Sequence, residues 1–395
     1  VLDNCFLIVL KQQPIRVCNS KIKNNYSYIS YLHAYKCSRY NKAVRTNLCL
    51  LLILYTKKIQ IMKKQIFFAA LACITLFTSC KKDNNPAAEP ITNVYVTGHQ
   101  WDSVSGLDKS GVWKNGAFTI NVLNSNRSHY GYAIALSGND VYTTGYENTQ
   151  TIWKCHVWKN GLYQYSLGDG YSLGTGIALI GTDIYVAGYA YEPSPVYRYA
   201  MLWKNDNTVN ILAASANNAE AKAVAVSGTD VYVAGKENDD VKIWKNGVAL
   251  TLSNSTGCTL TSIAAEGNDV YAAGYTNTPL RVRYWKNGIS TDIVTTGSAY
   301  ANAIAVANGD VYIAGTDISG PKAIATYWKN GVAVTLGAGI RNSRANGIAV
   351  KGTDVYIAGE VQGANNISDY ATIWKNGQAT TVGTANSQAK AIAVK

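Results

Sequence analysis

The sequence predicts an all-β fold built from seven copies of one four-stranded unit, and three observations predict it. The tetrapeptide Trp-Lys-Asn-Gly begins at Trp113, Trp158, Trp244, Trp285, Trp328 and Trp374, with a variant, Trp-Lys-Asn-Asp, at Trp203. A run of the form VYVAG begins at Val94, Val141, Ile184, Val231, Val270, Val311 and Val355. A run of the form AIAV begins at Ala133, Gly176, Ala223, Ser262, Ala303, Gly347 and Ala391. The three signatures recur in phase, with Trp-to-Trp spacings of 41 to 46 residues. A fixed period of this size marks a unit that buries its apolar faces only against its neighbours.

Each signature reads as a strand. The AIAV run is the first, and SGTD or SGND turns it tightly into the second, VYVAG. The Asp before each Val-Tyr or Ile-Tyr pair (Asp140, Asp183, Asp230, Asp269, Asp310, Asp354) is placed to bond backbone N–H groups of that turn. Trp ends the third strand. Asn-Gly then turns the chain, because a two-residue type I′ hairpin needs positive φ at both positions. The stretch after it, such as VAVTL at Val332, is the fourth strand. The third unit has Asn205-Asp206 in place of Asn-Gly, so its turn is expected to be looser or longer.

Four strands in about 43 residues are the dimensions of a β-propeller blade, and seven units over 93–395 predict a seven-bladed ring of antiparallel blades. The array opens on a second strand at Val94 and stops on a first strand, Ala391–Val394. The last strand should therefore pair with the first blade and close the ring, which removes exposed edges. Small residues at Ala135, Ala178, Ala225, Ala264, Ala305, Ala349 and Ala393 suit strands that converge on an axis. The repeated Tyr and Trp supply the bulk between blades. WKNG thus reads as a packing Trp, an exposed Lys and a hairpin. The Gly-His and Trp-Asp pairs of WD repeats occur once each, at Gly98-His99 and Trp101-Asp102, and do not recur with the period, while neither the Gly-Gly of kelch repeats nor a sialidase Asp-box is present.

Before residue 93 the composition changes. The chain has 36 Lys+Arg against 24 Asp+Glu, but residues 1–61 hold ten basic residues and one acid, Asp3. Residues 80–395 have a net charge of +1, so the basic balance is no argument for nucleic acid. Residues 62–79, MKKQIFFAALACITLFTS, have the basic start, short apolar run and small polar end of a secretory signal. Residues 1–61 have no period and are expected to be upstream translation before Met62, or a disordered extension. Six of the eight cysteines lie at or before Cys80. The other two, Cys155 and Cys258, are expected to be buried, unpaired and inert.

LFTSC, Leu76–Cys80, resembles a bacterial lipobox, with Phe77 in place of the usual aliphatic residue. The resemblance implies a lipidated Cys80, a polar tether over 80–92, and export to the outer membrane, since Lys81 follows the cysteine instead of Asp. Residues 62–395 as a whole resemble the β-propeller-repeat lipoproteins of Gram-negative bacteria. That resemblance implies architecture and says almost nothing of activity.

Loops after strands two and four are long and irregular, whereas those after strands one and three are short and uniform. Binding on a rigid scaffold concentrates in variable loops, so the variable face is the candidate site. His99, Trp101, Asp102, Tyr146, Glu147, Tyr189, Tyr191, Glu192 and Tyr275 are its candidate ligand-binding residues. Rings beside hydrogen-bonding groups suit a glycan or an envelope protein. The expected molecule is a monomeric, non-catalytic binding module with no cofactor, no metal and no nucleic-acid partner. The alternative is a propeller hydrolase or lyase acting on extracellular polysaccharide. Against it, His99, His129 and His156 are the only histidines after residue 33, no repeated His or Cys set forms a ligand ring, and no catalytic residues are legible.

Overall fold

The computed structural model describes residues 92–395, apart from 124–125, 194–195, 207, 214–217, 239, 296, 338 and 365. The upstream segment 1–61, the signal 62–79, Cys80 and the tether up to residue 91 lie outside the described residues. Pro90–Lys395 is a compact unit. It consists of seven four-stranded antiparallel sheets arranged as a seven-bladed β-propeller. The fifth blade shows the plan: Cys258–Glu266 pairs with Asp269–Asn277, which pairs with Leu280–Lys286, which pairs with Ile289–Asp292.

The ring closes as expected. Ser387–Val394 forms the innermost strand of the first blade, with Val94 opposite Val394 and Val96 opposite Ile392. Asn93 and Lys395 exchange both backbone hydrogen bonds at 2.9 Å.

Asn-Gly turns the outer hairpin of six blades, with φ of +49° and +84° at Asn330 and Gly331, for example. In the third blade Lys204 pairs with Thr208, so the loop is one residue longer. The Lys, Asn and Asp of the repeat have a role the sequence reading missed. Asp269 does not bond its own turn. Its carboxylate takes the Lys286 ammonium at 2.7 Å and the Asn287 side-chain amide at 2.7 Å, while Asn287 Oδ1 accepts from Val270 N at 2.9 Å. The ammonium also sits 5.1 Å from the centre of the Tyr271 ring. The same clamp ties strand three to the start of strand two in blades two to seven. It holds Asp269 below the usual carboxylate range, through Lys286 first and Asn287 second.

Each innermost strand also has a β-bulge. The extra residues are Tyr132, Thr175, Lys222, Thr261, Asn302, Asn346 and Lys390. Several of them join neighbouring blades: Thr175 Oγ1 donates to Ala221 O at 2.9 Å, and Asn346 Nδ2 to Ala389 O at 2.9 Å. The bulge explains the Gly that ends every VYVAG run. A Cβ on Gly274 would stand 1.9 Å from Thr259 O, so no larger residue fits.

Blades pack on one another through the repeated aromatics. Between blades four and five, Tyr232, Ala234 and Ile243 meet Ile263, Val270, Ala272 and Trp285. Equivalent apolar clusters occupy five further seams. The seven repeat tryptophans are at most 2 % exposed, which makes them the inter-blade core. Cys155 and Cys258 are free and buried, and burial pushes the Cys155 thiol up to about 12.

Candidate functional site

The seam between blades one and two is built differently. Four positions that are apolar at most other seams, Thr97, Ser110, Asn121 and Thr143, are polar here, and His156 joins them. Thr97 stands where later blades have Ala187, Ala234 and Ala273. Ser110 stands where they have Ala200, Val241 and Val282, and Asn121 where they have Leu167, Ile293 and Leu336. Thr143 and His156 face these groups from blade two, and all five are buried.

Ser110, His129, Asn121 and Thr143 are joined by hydrogen bonds. Ser110 N and Ser110 Oγ lie 3.1 and 2.8 Å from His129 Nδ1. Asn121 Nδ2 donates to Ser110 Oγ and to Thr143 Oγ1, both at 3.2 Å. Because Nδ1 accepts from a backbone N–H, His129 is neutral. Burial, and then Lys109, lower its pKa to about 4. Other blades use a smaller group at this place: Ser172, Ser343 and Ser387 accept the equivalent bond from Cys155, Ala325 and Ala371. His129 is therefore a structural acceptor that replaces a serine.

His156 joins a second chain of contacts. Its Nε2 is 3.4 Å from Glu147 Oε2, and its Nδ1 is 3.0 Å from Ser166 Oγ, which also meets Tyr163 Oη at 3.0 Å. Burial lowers the His156 pKa, and Glu147 opposes that shift. Ser166, His156 and Glu147 thus form a serine–imidazole–carboxylate relay. No spacing signal in the sequence could have found Ser166, because the relay exists only across paired strands. His99 is also in this seam, edge-on to Tyr130 at 4.8 Å, and burial lowers its pKa to about 3.

Nearer the variable face, aromatic rings gather around the bulged strands. Tyr130 stacks on Tyr146 at 5.0 Å, and Tyr146 touches Tyr132 and Trp153 at 5.8 and 5.7 Å. Tyr130 Oη also donates to Asp108 across the seam at 2.9 Å, and burial with that bond pushes its phenol up to about 12. In blade three, Tyr189 and Tyr191 meet edge to face at 5.6 Å, and the Arg198 guanidinium lies 4.8 and 4.9 Å from their centres. Buried Glu220 pairs with both Arg198 and Lys222. Burial, then Arg198 and Lys236, lower the Lys222 pKa to about 8.

The structure sorts the nine nominated residues. Tyr146, Tyr189 and Tyr191 lie in these aromatic groups. Trp101 is 42 % exposed at the end of its strand. Asp102 is a half-buried residue at the end of its strand that accepts from Ser105 Oγ at 2.6 Å and Val104 N at 3.1 Å, and it does not join His99 and His129 in one pocket. His99 and Glu147 are buried in the seam instead of exposed on the face. Tyr275 pairs with Tyr300 at 6.0 Å, away from the others in blades five and six. Glu192 belongs to the strand Asp183–Pro193, and its side chain lies outside the described residues. Among the described residues, no group of three or more His, Cys, Asp or Glu is arranged to hold a metal ion.

No protein-family model and no curated protein matches the chain. Solved structures that are similar to it include the following two. The computationally designed Ika8 protein shares 15% identity, with 72% of this chain and 83% of that chain covered and a TM-score of 0.42. A protein from Lactobacillus plantarum shares 11% identity, with 77% and 100% covered and a TM-score of 0.44. Neither likeness bears on activity or ligand.

Proposed function

We propose that this protein is a non-catalytic binding module, lipid-anchored at Cys80 in the outer membrane, whose variable-loop face takes a glycan. One observation carries the reading: the gathered rings of Tyr130, Tyr132, Tyr146 and Trp153 beside the Tyr189–Arg198–Tyr191 group. Rings that offer an apolar face and a polar edge suit the alternating faces of a sugar, and charged neighbours fix its orientation.

The detergent-solubilised protein, incubated with a polysaccharide panel, is scored for retention and for released reducing ends in the same tubes. The expected result is retention without release, weakened about tenfold by Tyr146→Ala or Tyr189→Ala, as for an anchoring aromatic contact. Neither retention nor release would move the ligand class to an envelope protein. The anchor is tested separately, by incorporation of labelled fatty acid that Cys80→Ser abolishes. Ordinary incorporation into Cys80→Ser would refute it.

The Ser166–His156–Glu147 relay favours a second reading, a hydrolase. A hydroxyl beside a neutral imidazole that a carboxylate orients is the arrangement of a nucleophile and its base. Hydrolysis of a p-nitrophenyl ester or of an acylated sugar that Ser166→Ala abolishes would establish it.

A further inference from the structure

Six of the seven blades neutralise the lysine of their WKN motif with an aspartate, at 2.6 to 2.8 Å from ammonium to carboxylate. The first blade does not. Asn93 stands where the others have Asp, and its Oδ1 accepts from Asn115 Nδ2 at 2.9 Å, preserving the amide half of the clamp alone. Lys114 nevertheless keeps the usual pose, 5.3 Å from the centre of the Tyr95 ring, compared with 5.1 to 5.5 Å in the other blades. Among the described residues no carboxylate forms an ion pair with it. The ammonium is therefore posed for an anion that the first blade does not supply.

A cleft of about 210 Å³ opens beside this ammonium, on the face of the uniform turns between blades one and two. Tyr95, Val112 and Val141 give it apolar wall, while Lys114, Thr119 and Asn139 give it polar groups. Asn139 Oδ1 accepts from Lys395 Nζ at 2.8 Å, so a second ammonium stands at the rim. Asp140, the carboxylate next to Asn139, is already engaged by Lys159 and Asn160.

We propose that this cleft is a binding site for a small organic carboxylate, whose charged end pairs with Lys114 and takes the place of the aspartate missing from the first blade. The apolar wall favours an organic acid over a bare inorganic anion, and the volume limits it to about one sugar unit or a short acyl chain, below the usual range of drug-sized pockets. Charge-assisted hydrogen bonds to the carboxylate provide the selection over neutral analogues. The site lies on the opposite face from the proposed glycan site and does not depend on it.

The test uses the full chain and two carboxylate probes, sodium propionate for a free acid and sodium glucuronate for an acidic sugar unit. Methyl glucoside and inorganic phosphate serve as neutral and non-carboxylate controls at matched ionic strength. Binding is read by saturation-transfer NMR. The wild type is expected to show saturable binding of one carboxylate probe at least, and the probe that binds better identifies the source of the acid. Asn93→Asp restores the aspartate of the other six blades. It is expected to keep or raise the melting temperature while weakening binding more than tenfold. Lys114→Met should lose binding, and Lys159→Met should retain it. Unchanged binding in Asn93→Asp, equal response to phosphate, or no response to either carboxylate would each overturn the proposal. So would glucuronate binding that depends on Tyr189 and not on Lys114.

Discussion

The seam between blades four and five and the seam between blades one and two share one backbone plan and are filled with opposite chemistry. At the former, Trp285 packs on Tyr232, Ile243 and Ile263, all nearly inaccessible to water. At the latter, Trp158 lies 6.2 Å from His129 and 5.6 Å from His156, with Asn121, Thr143 and Ser110 around them. The repeat therefore dictates where strands go, while each seam is free to choose what fills it. Four buried polar atoms at this seam, His99 Nδ1, Asn121 Oδ1, Glu147 Oε1 and Trp158 Nε1, have no hydrogen-bond partner in the described chain. Such atoms cost stability that the seam between blades four and five does not lose, where Trp285 Nε1 donates to Ser253 O at 2.7 Å.

The largest expected effect comes from opening the ring. Removing Ser387–Val394 strips the first blade of its innermost strand and exposes an edge, and calorimetry should then show no cooperative transition. Next, Trp285→Ala should cost about 3–5 kcal/mol, the usual range for truncating a buried Trp, read from the denaturant midpoint. Trp158→Ala should cost less, because its neighbours are polar and its indole nitrogen is unpartnered. Equal losses would contradict the contrast. The converse experiment fills the polar seam with the residues of the others. Ser110→Ala, Asn121→Leu and Thr143→Val together are expected to leave stability unchanged or raise it by about 1–2 kcal/mol, since replacing all partners of a network is nearly neutral.

Acid should act on the polar seam first. The folded pKa of His129, about 4, lies below the 6.5 of an exposed histidine, so the unfolded chain binds the proton more readily. Its contribution is whole above about pH 6.5, falls as the pH drops through that value, and is gone below about pH 4. The loss amounts to about 3 kcal/mol at 1.4 kcal/mol for each pKa unit. His129→Asn keeps an acceptor for Ser110 N and cannot titrate, so its stability should be flatter over that window in urea titrations. The smallest effect belongs to Asp269→Asn, which breaks one clamp at a solvent-facing carboxylate. A slight fall in melting temperature at low salt should vanish at high salt.

The strands, their order and the closure were legible because Trp, Asn-Gly and VYVAG recur in phase. Three features were not. The bulge has no residue signature, since Tyr132, Thr175, Lys222 and Asn346 all occupy it, and only the Gly opposite hints at it. The Lys–Asp–Asn clamp consists of repeated residues, but its meaning lies in a pairing of strands about 20 positions apart in most blades. The polar seam was hidden because Thr97 and Thr143 extend a strand as well as Ala or Val does, so the pattern reads the same. On the variable face, Tyr146, Tyr189 and Tyr191 were nominated from loop irregularity. That irregularity could not separate them from His99 and Glu147, which the same strands bury.

Amide hydrogen exchange at pH 7 and pH 5, resolved strand by strand, tests the contrast between seams most directly. If the first seam is the soft one, Val94–Asp102 and His129–Ser137 will lose protection first when the pH is lowered, while Tyr232 and Ile263 and their strands remain protected. Uniform loss around the ring, or earlier loss at the seam between blades four and five, would contradict it.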